Sequence, residues 1–390
     1  MTEFEPRRAF EHLDKLAYEI GPRLAGTPGD RMAADYIREQ FSSYGLRTRV
    51  HEFKFVNRAA RTKATACILA AAFVVTFFLP PEFSLLTWFL ALLLWRLLDR
   101  IMPKRSSQNI VATLQPKKTE RRAAIIAHYD SAPCRVSDKL NYFVKFTFAP
   151  ALILITVIFV VRSFIPSWRI LWWPLACIFI PICVGMFVSA SSRRVSPGAD
   201  DNASGVAVML EAARASAESP PADIELTFVA SGAEEQGLVG ARRLVEDKVL
   251  PMDAMVLNLD MLGAGSQAYV VEGNGVFRRT KTSPKLNEVL SSCIRGVGIR
   301  PKLWWAALAG HDHIPFVRAK IDATTFTIDT KADKDQIGNF VAKAFRLPTA
   351  HVRGYRYIHT IEDIPDRIEL DNIELAGKVV LDFIKAIQVT

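Results

Sequence analysis

The sequence predicts an α/β protein, a three-layer α/β/α sandwich around a mostly parallel mixed sheet, interrupted by two hydrophobic helical hairpins. Three observations carry that expectation. Short β-type runs alternate with helical patterns through the second half of the chain. Four long apolar runs interrupt the first half. Imidazoles and carboxylates gather just past the ends of the β-type runs, where open α/β sheets place their sites.

With 390 residues the chain is long enough for one large core, which excludes a small stapled scaffold. Half of the residues are hydrophobic and only 23% are charged, a balance too apolar for a disordered chain. The formal charge of +9 suits either nucleic acid or an anionic membrane. Cys67, Cys177 and Cys183 lie in apolar runs, and Cys134 and Cys293 are far apart, so neither a disulfide framework nor a cysteine zinc site is expected. The N-terminus lacks the pattern of a secretory signal, which makes the cytoplasm the expected compartment.

Taken in order, Phe10, Leu13, Leu16, Ala17 and Ile20 recur at helical spacing until Gly21-Pro22 stops them. A second helix, with Asp30 as its expected cap, carries Ala33, Tyr36, Ile37, Phe41 and Tyr44 up to Gly45, and Leu46 to Phe55 reads as a strand. Asn109 to Leu114 and Ala123 to Ala127 are short β-type runs, the second apolar throughout as a central strand requires. Strands over 224–230, 254–259 and 324–328 then alternate with helices over 205–217, 240–247, 284–296 and 371–387.

The apolar excess sits in Ala64 to Leu79, Phe83 to Leu98, Phe146 to Val161 and Trp168 to Ala190. Three runs have 16 residues and the fourth 23, about 24 and 35 Å of helix against a hydrocarbon core of ~30 Å. Pro80-Pro81-Glu82 and Arg162 to Ser167 divide them into two hairpins, with Trp88, Trp95, Trp168, Trp172 and Trp173 near the ends as in an interfacial belt. Arg58, Arg61, Lys63, Arg96, Arg100, Lys104, Arg105, Lys139, Lys145, Arg193 and Arg194 flank the globular side, against Arg162 and Arg169 at the tips. That asymmetry predicts a multi-pass membrane protein whose globular part faces the cytoplasm. The expected organisation is therefore peptide-chain pieces 1–60, 104–138 and 195–390 of one α/β domain, interrupted by hairpins at 64–98 and 143–190. Buried core helices of a soluble domain are the competing reading of these runs. Because the basic residues concentrate beside the hairpins, anionic lipid accounts for the charge and no nucleic-acid partner is expected.

Five places carry the chemistry. His128 and Asp130 alternate at the end of one β-type run; Asp200-Asp201-Asn202 opens a helix; Glu234-Glu235 follows the next strand; Asp260 ends another; His359-Thr360 follows a long loop. Two imidazoles and three carboxylates, with a further carboxylate left over as a base, suit a two-zinc hydrolytic centre. Two dications held close together need a bridging carboxylate to reduce their repulsion, terminal nitrogen and oxygen ligands to fix geometry, and an open position for water.

In this order the segments Gly-Ala-Asp-Asp-Asn-Ala-Ser-Gly, Gly-Ala-Glu-Glu-Gln-Gly-Leu, Leu-Asp-Met and Ile-His-Thr resemble the M28 family of zinc aminopeptidases, over nearly all of the chain outside the hairpins. The resemblance implies a zinc-exopeptidase fold and two Zn2+ per chain. It makes His128 and Asp260 the terminal ligands of one ion, Glu235 and His359 those of the other, and Asp201 the bridge. It also implies Glu234 as general base, Asp130 as the carboxylate that orients the metal-binding imidazole, and a cis peptide bond between Asp201 and Asn202. Substrates would be peptides with a free N-terminus.

Other features are weaker. His311-Asp312-His313 looks like a metal triplet but resembles a loop near the family's substrate pocket, where it is not a ligand. Trp304-Trp305 suits a side-chain pocket, simple packing or an interfacial anchor, and the long connection from Lys331 to Tyr357, with Arg346, His351, Arg353 and Arg356, suits a lid, a lipid-contacting loop or a solvated one. Typical family members lack the hairpins. A zinc carboxypeptidase, a glutaminyl-cyclase-like enzyme, and a non-catalytic membrane scaffold or receptor on the same fold remain open at this level, as do residue preference, the metal used in the cell and oligomeric state.

Overall fold

The computed structural model describes residues 3–79, 83–116, 118–137, isolated positions between 140 and 157, 172–307, 309–330, 343–345 and 356–389. Pro80-Pro81-Glu82, most of the third apolar run, residues 162–167 and most of 331–357 lie outside the described residues. The chain divides into two compact units: Met1–Phe53, Ser106–Pro133 and Val195–Thr390 form the first, and Lys54–Arg105 with Cys134–Arg194 form the second.

The first unit opens with helix α1 (Pro6–Asp14), which runs on as a π-helical turn over Lys15–Ile20 and stops at Gly21, whose φ of 74° suits glycine. Helix α2 (Pro28–Ser43) begins one turn earlier than Asp30 would set it. Pro28 occupies the first helical position and Thr27 the cap, because proline's fixed φ and missing N–H cost nothing there. Asp30 turns inward instead, accepting the Gly26 N–H (2.9 Å) and the Ser107 hydroxyl (3.3 Å).

Among the described residues nine strands make one sheet: β1 (Arg47–Val56), β2 (Lys104–Leu114), β3 (Arg121–His128), β4 (Ile224–Ser231), β5 (Met255–Leu259), β6 (Gln267–Asn274), β7 (Thr280–Lys281), β8 (Lys302–Ala306) and β9 (Ala323–Asp329). Their order is β1-β2-β4-β3-β5-β9-β6-β7, with β8 on β6. The centre, β4-β3-β5-β9, is parallel, and antiparallel pairs flank it at β2/β4 and β9/β6, so the sheet is mixed as expected. Strands β6 to β8 were not expected from the sequence pattern. Gln267, Glu272 and the Trp304-Trp305 pair break the apolar alternation that marks a strand.

Alternation along β3 explains the layers. Ala123, Ile125 and Ala127 face a core shared with α1, α2, α6 (Gly205–Glu218), α8 (Pro284–Gly296) and α10 (Leu370–Val389). Ala124 and Ile126 face the opposite core, built with Ala241 and Leu244 of α7 (Val239–Glu246) and Phe316 of α9 (His313–Arg318). Period-two alternation with both faces buried is what an apolar central strand encodes.

In the second unit, α3 (Arg58–Phe78), α4 (Ser84–Ile101) and α5 (Trp172–Ser189) carry the first, second and fourth apolar runs. Asn57 caps α3 by accepting the Ala60 N–H at 3.0 Å. Ala66 and Phe73 pack with Leu175, Phe179, Ile182 and Cys183. Outside this seam the surface is apolar: Phe78, Leu85, Phe89 and Trp173 are all more than 60% exposed. Among the described residues α3 is the helix long and apolar enough to cross a membrane.

Candidate metal centre

The parallel register sets the site. His128 on β3 pairs with Ser231 on β4, and Ala127 pairs with Leu259 on β5. The three strands therefore end at one level, and the residues that follow them, Asp130, Glu234, Glu235 and Asp260, emerge at one sheet edge. Asp201 joins them from the turn Ala199–Ser204 that leads into α6, and His359 from the turn before Asp363. All five residues predicted as ligands meet here.

They form two groups. The donor atoms of His128, Asp201 and Asp260 lie within 4.8 Å of one another, as do those of Asp201, Glu235 and His359. Asp201 belongs to both. Its Oδ1 stands 3.2 Å from His128 Nε2 and its Oδ2 3.0 Å from His359 Nε2, while His359 Nε2 is also 2.9 Å from Glu235 Oε1. His128 Nδ1 lies 3.1 Å from the Asp130 backbone carbonyl, a pure acceptor, so Nδ1 carries a proton and Nε2 is the ring nitrogen that faces the cluster. The peptide bond Asp201–Asn202 is cis.

The chemistry of this donor set fits zinc. Each group offers one imidazole nitrogen and two carboxylates, a set zinc accepts. The charges point the same way. Burial resists ionisation of Asp201, but hydrogen bonds from His128 and His359 outweigh it and hold its carboxyl well below the usual range. Burial likewise opposes the His359 imidazolium, yet Glu235 and Asp201 push its pKa up to about 9. So many buried carboxylates demand positive charge, which protons on the imidazoles provide when no dication does. Burial, opposed by His128 and reinforced by Glu235, Asp312 and Asp260, raises the Glu234 carboxyl well above its ordinary value.

Asp130 faces the His128 ring with two of its oxygens, the backbone carbonyl at 3.1 Å and the carboxylate farther away. Its carboxylate is 3.7 Å from His128 Nδ1, beyond hydrogen-bond reach, and accepts the backbone N–H groups of Glu234 (2.9 Å) and Glu235 (3.2 Å) instead. The strand end leaves its main-chain carbonyl to orient the imidazole. His311 is not among the grouped donors, but its Nδ1 meets Asp260 Oδ2 at 2.5 Å, and its ring stacks on His313 and stands edge-on to Trp304. The sequence placed that triplet near a substrate pocket, and nothing in its spacing marks His311 as the partner of Asp260. Trp304 and Trp305 are both buried, the latter donating to the Gly275 carbonyl, which excludes an interfacial anchor. Of the 331–357 connection the structure describes 343–345 and 356–357; Arg356 and Arg367 both lie over the Tyr357 ring.

Two residues to which the sequence assigned no role also build the site. Arg23, fully buried, donates to the carbonyls of Leu16, Gly21, Tyr129, Pro197 and Gly198. Asp200 accepts the N–H groups of Gly263 (2.7 Å) and Ala264 (3.1 Å), just beyond Asp260.

A mixed sheet between helical layers, with imidazoles and carboxylates at the ends of its parallel strands, defines a zinc-exopeptidase type of protein. The model of Peptidase family M28 matches residues 185–384, and the chain belongs to that family. The aminopeptidase YwaD of Bacillus subtilis (strain 168) is 36% identical over 143 residues, 34% of this chain and 29% of that protein. The probable lipoprotein aminopeptidase LpqL of Mycobacterium tuberculosis is 42% identical over 76 residues, 19% of this chain and 15% of its own length. The chain thus matches less than a third of the length of these relatives. Among solved structures, the zinc aminopeptidase BSAP from Bacillus subtilis has a TM-score of 0.60 at 19% identity, covering 98% of this chain and 95% of that one. Porphyromonas gingivalis glutaminyl cyclase has a TM-score of 0.61 at 15% identity, covering 99% of both. These likenesses concern the fold.

Proposed function

We propose that the chain is a membrane-embedded dizinc aminopeptidase that hydrolyses the N-terminal residue from peptides, its site facing the cytoplasm. The observation that carries the reading is the pair of donor groups sharing Asp201. His128 and Asp260 would hold one zinc, Glu235 and His359 the other, with Asp201 between them. Zinc held there polarises a carbonyl and makes water acidic near neutral pH. Glu234 takes the proton from the attacking water and returns it to the leaving amine. Its backbone N–H is fixed by Asp130, so the base keeps one position relative to Glu235. The surrounding carboxylates attract a free α-ammonium, which favours substrates with an unblocked N-terminus.

The membrane assignment rests on the exposed apolar faces of α3, α4 and α5 and on the basic residues at their ends. Recovery of the full chain in carbonate-washed membranes supports it; release into the wash rejects it.

The chemical test compares free and N-acetylated aminoacyl amides in detergent, together with zinc stoichiometry. Two ions per chain and cleavage of free amines alone are expected. Glu234→Gln should keep the metal and lose about 10²- to 10⁴-fold in turnover. Cyclisation of N-terminal glutamine in place of cleavage would assign glutaminyl-cyclase chemistry, and release of C-terminal residues a carboxypeptidase. A metal-free, inert protein would be a scaffold or receptor.

A further inference from the structure

Asp363 follows His359 by four residues and is fully buried. Three consecutive amides of the Asp201 loop dock on it. The Ala199 N–H meets its backbone carbonyl at 3.1 Å, the Asp200 N–H its Oδ1 at 2.8 Å, and the Asp201 N–H its Oδ2 at 3.3 Å. This contact joins the segment carrying His359 to the loop carrying Asp201, two donors of one group. Around the centre the same device recurs, since Asp130 grips the Glu234-Glu235 amides and Asp200 the Gly263-Ala264 amides. A carboxylate near one donor thus holds the backbone of another donor's segment. The backbone needs holding: Ala233, Met261 and His359 all have φ between 56° and 60°, a left-handed conformation costly for residues with a side chain.

We propose that Asp363 is a positioning residue that sets the spacing of Asp201 and His359 before metal arrives, and so governs the affinity of the ion held by Asp201, Glu235 and His359. The inference rests on the ligand reading above. In Asp363→Asn the amide retains one acceptor and turns an N–H₂ toward one docked N–H, so one clamp bond is replaced by a donor–donor clash.

The test titrates metal-free, detergent-solubilised full chain with Zn2+ against a competing chelator, and follows the visible spectrum with Co2+. For Asp363→Asn, affinity for the ion held with His359 should fall about 10- to 100-fold with an altered Co2+ spectrum, and clearly more than affinity for the other ion, which shares Asp201 but not His359. Glu211→Gln, which removes a buried carboxylate paired with Arg214 on α6, should leave both affinities unchanged. Unchanged binding of both ions to Asp363→Asn, or equal weakening of both, overturns the proposal. If that variant does not fold, hydrogen exchange on the wild type decides. Amides 199–201 protected equally in metal-free and zinc-loaded chain support the role, and protection that appears only with zinc overturns it. A wild type that binds no zinc overturns the ligand reading itself, a result distinct from normal binding by the variant.

Discussion

Replacing Arg23 by lysine should loosen the loop that carries Asp201. Arg23 Nε donates to the Tyr129 carbonyl at 2.7 Å, Nη1 reaches the carbonyls of Leu16 (2.8 Å), Gly21 (3.0 Å) and Pro197 (2.6 Å), and Nη2 that of Gly198 (2.8 Å). Burial pushes the guanidinium pKa down to about 10, with Asp363, Asp130 and Asp201 opposing that fall, so the group stays charged at neutral pH. A lysine ammonium has three N–H groups radiating from one atom and cannot span a planar fork of acceptors. At least two carbonyls would lose their donor, at about 1–3 kcal/mol each, or ~2 kcal/mol as a lower bound. Peptide-level hydrogen exchange reads this directly. Protection of segments 129–131 and 197–201 should fall at least about 30-fold in Arg23→Lys, with α4 in the second unit unchanged. Protection within threefold of wild type in both segments would refute the reasoning, because the five carbonyls would then be satisfied without the fork.

Two further outcomes follow from the same kind of accounting. His12 lies against the hydroxyls of Tyr36 (2.6 Å) and Tyr44 (3.0 Å), and burial, with a smaller contribution from Arg8, pushes its pKa down to about 4. Below the unfolded value of ~6.5 the unfolded chain takes up a proton that the folded chain refuses, so this contribution is complete above pH ~6.5 and is lost as pH falls toward 4, at most ~3 kcal/mol. Thermal midpoints from pH 7 to 4.5 should fall more steeply for wild type than for His12→Gln; parallel curves would reject the account. Gly198 has a φ of 63°, and a Cβ there would stand 2.5 Å from the Asp201 carbonyl oxygen and 2.8 Å from Ser131 Cβ. Gly198→Ala should therefore displace the Asp201 loop, adding about 1–2 kcal/mol of backbone strain and weakening zinc binding, and unchanged zinc affinity would show that the loop yields without moving Asp201.

What could be read from the sequence depended on whether the signal was local. Ala123 to Ala127 is apolar at every position, so a central strand follows directly, and His128 necessarily stands at its end. The same holds for Glu234, Glu235 and Asp260, whose place depends only on where a strand stops. Strands β6 to β8 were hidden because strands toward the end of a mixed sheet tolerate polar residues that blur their period. Asp30 was misplaced as a cap because capping preference competes with proline's preference for the first turn, and Pro28 settled it. The contacts that hold the site in shape were invisible for a different reason. Arg23, Asp200 and Asp363 act on backbone N–H and C=O groups, which every residue has, so no complementary side chain marks their partners in the sequence. Asp130 shows both halves of this rule. Its spacing from His128 revealed that it belongs to the site, whereas its carboxylate's partners, the amides of Glu234 and Glu235 more than a hundred positions away, emerged only when β3 and β4 paired in register. Donor atoms are thus written in residue identity, and the distances between them in main-chain hydrogen bonds, which is why metal affinity, rather than metal identity, is the property most exposed to substitution at Arg23 and Asp363.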